Sequence, residues 1–423
     1  MMDSAPPVID TLAHDVLFAS DPQKQQSRQT IKELAGKHGI VLSSLYNMYR
    51  ERARSPQQFP FTVPALNIRG LSFDFCRAIL RAAIKQKVGA FIIELARSEM
   101  EYTDQRPDDI AAVALAAGIR EGYTGFLFLQ GDHYRINTQL GVDEEVRSLE
   151  KLIEESYAAG FFNVDIDAST TVDFSKSYAE DQQARNGEIT AHLTRYIRRL
   201  GRDSNGAPLT IGGEIGEIGG RNSTAEDLHG FMSVFKSKLG NVEGISKVAV
   251  QTGTRHGGIP GPGGSVVKAR LDFATLNELS RLAREEYGLA GAVQHGASTL
   301  PEELFGKFPD SGTAEIHLST EFQNIIFHHP AFPEELREEI DAYVDQHYAK
   351  EHEPTETEEQ FLYPHRKFAW GHFQKTIAEL PSGVRQALAQ SLEDKVAKLF
   401  WHLRVENTRD IVDRLVTLPL TAR

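Results

Sequence analysis

Cysteine occurs once in the 423-residue chain, at Cys76, so no intrachain disulfide forms and no Cys-rich zinc or iron–sulfur site can be assembled. Long apolar runs are also missing. The longest, Ile110 to Ile119, is about ten residues, well short of the roughly 18 or more that a membrane helix needs. The first residues, MMDSAPPVIDTL, lack a basic start followed by an apolar core, so neither a signal nor a transit peptide is expected. With one cysteine, a reducing, cytoplasmic setting is the expectation. Excess positive charge is absent too: 46 Lys and Arg stand against 59 Asp and Glu, a net charge of −13. Attraction to nucleic acid or to an anionic membrane is disfavoured. Much of that charge is local, because residues 334–360 hold eleven acids against Arg337 and Lys350. The remainder is only mildly acidic, and the net charge does not exclude an anionic small-molecule substrate. What is present, 40% hydrophobic and 25% charged residues, is the composition of a globular protein with ample length to bury a core.

Between Phe61 and about Phe327, a scan for short apolar runs that end in Gly, Asp, His or Asn gives a pattern that recurs eight times. The runs are Thr62–Asn67, Val88–Leu95, Gly125–Gln130, Phe162–Asp167, Leu209–Glu214, Ser246–Gln251, Ala290–His295 and Thr313–Leu318. Most are followed by segments of helical periodicity, such as Phe73–Lys87, Pro107–Glu121 and Asp143–Ala159. Alternating strands and helices imply right-handed crossovers and a parallel sheet buried on both faces. Eight such units match a (β/α)8 barrel. An open doubly wound sheet is the alternative, but no G-x-G-x-x-G follows the first run, which argues against its dinucleotide-binding version.

The expected organisation is an N-terminal helical segment (1–58), the barrel (59–330), an acidic helix and linker exposed to solvent (331–360), and a C-terminal helical extension (361–423). Ser27–Arg54, split near Gly39, reads as a helical hairpin packed on the barrel rather than a DNA-binding helix-turn-helix, given the acidic chain. The aromatics Phe361, Tyr363, Phe368, Trp370 and Phe373 are expected to pack on the barrel or on a second subunit.

In a (β/α)8 barrel, functional groups gather at the C-terminal ends of strands. Those ends carry His133, Glu214, His256 and His295. Imidazole and carboxylate suit zinc or a similar divalent ion, although any single histidine is as readily a hydrogen-bonded residue near a turn. Gly257, Gly258, Gly296 and Ser298 stand where backbone N–H groups and a hydroxyl can face a phosphate, or where glycine serves turn geometry alone. Thr320, after the eighth run, fits a phosphate contact or a helix N-cap.

Taken in order, VPALNI, GDH (131–133), DIDAS (165–169), GEIGEIGG (213–220), GTRHGG (253–258), HGAST (295–299) and the tail LYPHRKFAW resemble the class II, metal-dependent ketose-bisphosphate aldolases. The resemblance implies that His133, Glu214, His256 and His295 hold a Zn2+ or another divalent ion. It implies that Asp132 is the general acid/base, that Asp167 stands behind the ligands or at an alternate metal position, and that Asn67 contacts substrate. A monovalent cation and a homo-oligomeric state, dimer or tetramer, are further implications. So is the chemistry: cleavage or formation of a carbon–carbon bond in a phosphorylated ketose, a metal ion acting as Lewis acid on the enediolate.

The chain departs from the family pattern in three places. Arg221-Asn222-Ser223-Thr224-Ala225 stands where an acidic loop commonly supplies a base, leaving Glu217, Glu226 or Asp227 as substitutes. His317-Leu318-Ser319-Thr320 replaces Asn-Ile-Asp-Thr, and the lysine frequent after GTRHGG is not in place before Lys268. Two alternatives therefore stay open: a non-catalytic aldolase partner subunit, and a barrel aldolase for an unusual, non-bisphosphate substrate.

Overall fold

A computed structural model describes residues 8–203, 209–216, 220–253, 259–260, 266–267, 271–298, 300–353 and 356–416. Eight strands run parallel: β1 (Val63–Asn67), β2 (Ile92–Ala96), β3 (Gly125–Arg135), β4 (Asn163–Asp167), β5 (Thr210–Glu214), β6 (Lys247–Val250), β7 (Ala292–Gln294) and β8 (Glu315–Leu318). Each pairs with the next, and β8 returns to β1 with Glu315 opposite Val63 and Leu318 opposite Leu66, which closes the ring. This is the expected (β/α)8 barrel, with one strand in every apolar run. β2 starts later than its run because the Gly89 and Ala90 N–H groups donate to Thr408 Oγ1 (3.0 and 3.1 Å) in the C-terminal extension.

The N-terminal segment differs from the expected helical hairpin. Helices Val8–Phe18 and Asp21–Lys37 are present, but Gly39 turns the chain at φ +72° and Ile40–Ser43 becomes a strand. That strand pairs in parallel with the start of β3, Ile40 opposite Gly125 and Ser43 opposite Phe128. The β-branched pair Ile40 and Val41 favours the strand over helix continuation. Helix Tyr46–Arg54 then plugs the N-terminal end of the barrel. Its Arg52, 2% exposed, donates to the carbonyls of Phe59, Ala290 and Thr313, tying together the entries to β1, β7 and β8.

The acidic segment is less solvated than its composition suggests. Helix Glu334–Tyr348 buries Leu336, Ile340 and Val344, an i, i+4, i+8 stripe, and residues Glu358–His365 are helical rather than linker. Arg366 is gripped bidentately by Asp341 (2.7 and 3.0 Å) and by Glu359 (2.8 and 2.9 Å). The aromatics that follow do pack on the barrel. Trp370 stacks on Phe327 (4.8 Å), donates to Gln323 Oε1 (3.1 Å) and lies so close to Gly70 that a Cβ there would meet its ring. Among the described residues no helix is long and apolar enough to cross a membrane.

Inside the barrel, charged groups occupy positions that branched aliphatics usually fill. Lys247 on β6 is fully buried and donates to Gln130 Oε1 (2.8 Å), Asp165 Oδ2 (3.0 Å) and Glu315 Oε1. Tyr49, from the plug helix, donates to the other Glu315 oxygen.

Candidate active site

Asp132 and His133 adjoin each other near the end of β3, yet both side chains face the barrel mouth. Regular strand alternation forbids this. A bulge between Gly131 and Tyr134 shifts the register against β4, and His133 sits in the left-handed region at φ +42°. A non-glycine residue held there marks a site whose surroundings fix the conformation. Gly131 is required next to it, because a Cβ at that position would meet the Tyr134 ring.

Asp132 is held from two sides. Asn67 Nδ2 donates to its Oδ2 at 3.0 Å, and His317 Nδ1 donates to its Oδ1 at 2.9 Å. Burial opposes ionisation of Asp132, but the imidazoles of His133, His317 and His295 outweigh it and hold the carboxyl well below its usual range. The second His317 nitrogen, Nε2, donates to Glu315 Oε1 at 2.7 Å. With both nitrogens donating, His317 is an imidazolium. Burial acts against that form, and Glu94 and Asp132 overcome it, raising His317 well above its usual value. Glu94, 3.3 Å from His317 Nδ1, is itself pushed up by burial and by Asp132.

On the other side of Asp132, His133 Nδ1 lies 3.1 Å from Glu214 Oε2 and 3.2 Å from Asp167 Oδ2. Burial opposes ionisation of Asp167, but His133 and Ser169 hold it ionised below the usual range. Burial and that neighbouring carboxylate push Glu214 up to about 7. His295 follows β7, 2% exposed, its ring centroid 3.9 Å from that of His133 and 4.0 Å from that of His317.

Three donor groups among the described residues are compact enough to hold a metal ion. In Asp165–Glu315–His317 both carboxylates are already paired with Lys247. In Asp132–His295–His317 the doubly donating His317 has no lone pair to give. His133, Glu214 and His295 remain, their ligand atoms within 4.8 Å of one another. Two imidazoles and a carboxylate from β3, β5 and the end of β7 form a donor set suited to a divalent ion. Two carboxylates crowded on one imidazole are short of positive charge, which such an ion supplies.

His256, Gly257 and Gly258 lie outside the described residues. Gly296 adopts φ +67° directly after His295, and Ser298 is buried. Thr320 is the first residue of helix Thr320–Phe327 and so is not its N-cap; Ser319 holds that position without a side-chain cap bond. Asn67 bridges Asp132 and Glu99 (2.8 Å). Of the substitute bases, Asp227 is consumed: it pairs bidentately with Arg221 (2.6 and 2.8 Å) and caps helix Ala225–Leu239 through Thr224. Glu226 is exposed, and Glu217 lies outside the described residues.

Asp132 and His133 open onto a cavity of about 680 Å3 at the barrel mouth, whose walls include Asn67, Arg69, Thr320 and, from the C-terminal extension, Tyr363 and Lys367. Sequence reasoning missed Arg69, Glu99, His317 and Lys367. For His317 a signal existed, since a histidine inside a doubly buried strand must find partners.

Comparison with known proteins agrees with this architecture. The chain is 27% identical over 272 residues to a Coccidioides immitis (strain RS) protein described as "Putative fructose-bisphosphate aldolase", a match covering 62% of this chain and 76% of that one. The crystal structure of the YdjI aldolase from Escherichia coli K12 superposes with a TM-score of 0.51 at 12% identity, covering 84% and 97% of the two chains. The fructuronate-tagaturonate epimerase UxaE from Cohnella laeviribosi superposes with a TM-score of 0.59 at 12% identity, covering 81% of each. At such identities these structures speak for the fold alone. The sequence model of fructose-bisphosphate aldolase class-II matches residues 49–378, most of the chain, and this protein belongs to that family.

Proposed function

We propose that the chain is a zinc-dependent lyase, or one using another divalent ion, that cleaves or forms a carbon–carbon bond in a phosphorylated ketose. The observation that carries this reading is that Asp132 and His133 line one cavity while the ligand atoms of His133, Glu214 and His295 lie within 4.8 Å of one another. A divalent ion held by those three residues, with His256 as the further ligand the resemblance implies, would supply Lewis-acid polarisation of the ketose carbonyl. Everything else falls to the chain's own groups. Cleavage removes one proton from the hydroxyl next to the breaking bond and returns one to the carbon left behind. Asp132, ionised and fixed by Asn67 and His317, is the acceptor for the first of these. Because the ring of His317 is itself braced by Glu315, the carboxylate is oriented before substrate arrives.

The test is turnover by the purified chain on a panel of ketose mono- and bisphosphates, before and after chelation. Activity lost on chelation and restored by zinc or cobalt is expected, and full activity in excess chelator would sink the reading. A non-catalytic partner subunit is the second reading. It is favoured by one observation, the engagement of Asp227 with Arg221 and Thr224, which removes one loop acid from proton transfer. That reading requires no turnover by the chain alone and turnover once a separate aldolase subunit is added.

A further inference from the structure

A second cavity, of about 300 Å3, lies at the N-terminal end of the barrel, opposite the mouth. It is enclosed by the plug helix Tyr46–Arg54, the last turns of helix Ala225–Leu239 and the turns that enter β6 and β7. That face of a (β/α)8 barrel carries stability rather than catalysis, so the reaction proposed above leaves this cavity without a role. Two hydroxyls among its lining residues set it apart. Tyr46 is 3% exposed and Ser246 8%, and neither Tyr46 Oη nor Ser246 Oγ has a hydrogen-bond partner among the described residues. Buried polar groups are nearly always bonded, and one left alone costs free energy that a bound ligand would recover.

The cavity's other hydroxyls are engaged. Tyr49 donates to Glu315, and Tyr287 Oη bonds His229 Nδ1 (2.5 Å), so both offer only their rings. With Phe235, Leu239, Ile245 and Leu289 they make apolar walls. Cations outnumber acids around those walls. Lys236 Nζ lies 4.7 Å from the Tyr287 ring centroid and pairs with no carboxylate among the described residues. Arg50 reaches one carboxylate, Glu243, at 3.9 Å. Against the Tyr46 ring, 5.2 Å from its centroid, the Arg198 guanidinium donates only to the carbonyls of Leu209, Glu243 and Gly244, and burial lowers it to about 10. Glu243 is the one acid lining the cavity among the described residues, and burial pushes it up.

We propose that this cavity is a second small-molecule site, for an aromatic anion of one ring or two fused rings. The ring packs against Tyr49, Phe235 and Tyr287, its acidic group faces Arg50 and Lys236, and a polar substituent bonds the Tyr46 and Ser246 hydroxyls. The volume is at the lower end for ligand pockets, which excludes a dinucleotide. A sugar phosphate fits poorly, because two hydroxyls cannot satisfy the several that a sugar would bury among apolar walls. Three cations, Arg50, Arg198 and Lys236, against one acid favour a negative ligand over a neutral or positive one. The site is independent of the lyase reading, since none of its residues lies at the mouth.

The probe is para-hydroxyphenylacetate. Titrated calorimetrically into the full-length chain, it should bind with a Kd below about 1 mM, and its neutral alcohol, para-hydroxyphenylethanol, about tenfold more weakly. Tyr46→Phe keeps the ring and removes the hydroxyl. It should weaken the probe about fivefold or more while leaving phenylacetate, which has no hydroxyl to bond, within about twofold. Ser246→Ala should act in the same direction. Without ligand, the urea midpoint of Tyr46→Phe should equal or exceed that of wild type, because no protein hydrogen bond is lost. A lower midpoint would show that the hydroxyl serves the fold, and it overturns the assignment. So does a probe that fails to bind wild type. A probe whose affinity both variants leave unchanged occupies another cavity, and that result overturns it too.

Discussion

Both ends of the barrel interior are built from charged side chains, and they differ in what those charges face. Around Lys247 every charge meets a protein partner: Asp165, Glu315 and Gln130 surround the ammonium, and Tyr49 closes the network from below. At the mouth, Asp132 is held on two sides while its neighbourhood opens onto solvent-filled space. A buried network whose charges are paired within the protein fixes the structure, whereas one that opens onto a cavity leaves groups to meet a ligand. The lower network resembles the upper in composition, so composition does not decide function; access does.

The sharpest way to break this contrast is to remove one group from each end. Asp132→Asn keeps the shape but removes the proposed proton acceptor, and kcat should fall by about 10²–10⁴ with the urea midpoint nearly unchanged. Lys247→Met should act the opposite way. It strands Asp165 and Glu315 without their cation and should cost about 3–5 kcal/mol in equilibrium urea unfolding. An Asp132→Asn protein destabilised as much as Lys247→Met would erase the distinction between the two ends.

His317 joins them, and His317→Gln tests the junction. Glutamine cannot bond Asp132 and Glu315 together as the imidazolium does, so kcat should fall about tenfold while KM stays within about twofold. A KM effect alone would show that His317 touches substrate rather than orienting Asp132.

The smallest effect belongs to the rim. Hydrogen bonds from Arg97 hold the Glu145 carboxyl below its usual range, helped by the Asn137 N–H at 2.9 Å. A folded value below the unfolded one means stability fully present above the unfolded pKa and lost as pH falls through the folded one. Wild type should therefore lose about 1 kcal/mol more than Glu145→Gln in unfolding measured between pH 5 and pH 3, that range lying around the ordinary glutamate value. Identical acid limbs would assign the pair no role in stability.

The barrel was legible because its strands are buried on both faces, which writes them as apolar runs such as Phe162–Asp167 and Leu209–Glu214. The strand Ile40–Ser43 was not, since four residues between helices carry no period of their own and their pairing with β3 is long-range. Strand-end reading reached Asp132, His133, Glu214 and His295, because backbone topology alone brings those ends together. It missed the partners that depend on side-chain reach. Lys247, Glu315 and His317 sat inside runs scored as apolar, and Lys367 meets Arg69 only once the C-terminal extension has folded back over the mouth.

That fold-back also sets an order of events during synthesis. Trp370 seats against Gly70 beside β1, so the last-made part of the cavity wall anchors next to the first-made strand. A growing chain that has just released β8 from the ribosome already holds Asp132, His133, Glu214 and His295, but it lacks Tyr363 and Lys367. Tyr363 and Lys367 line that cavity, so its wall cannot be complete until the residues up to Lys367 have been made.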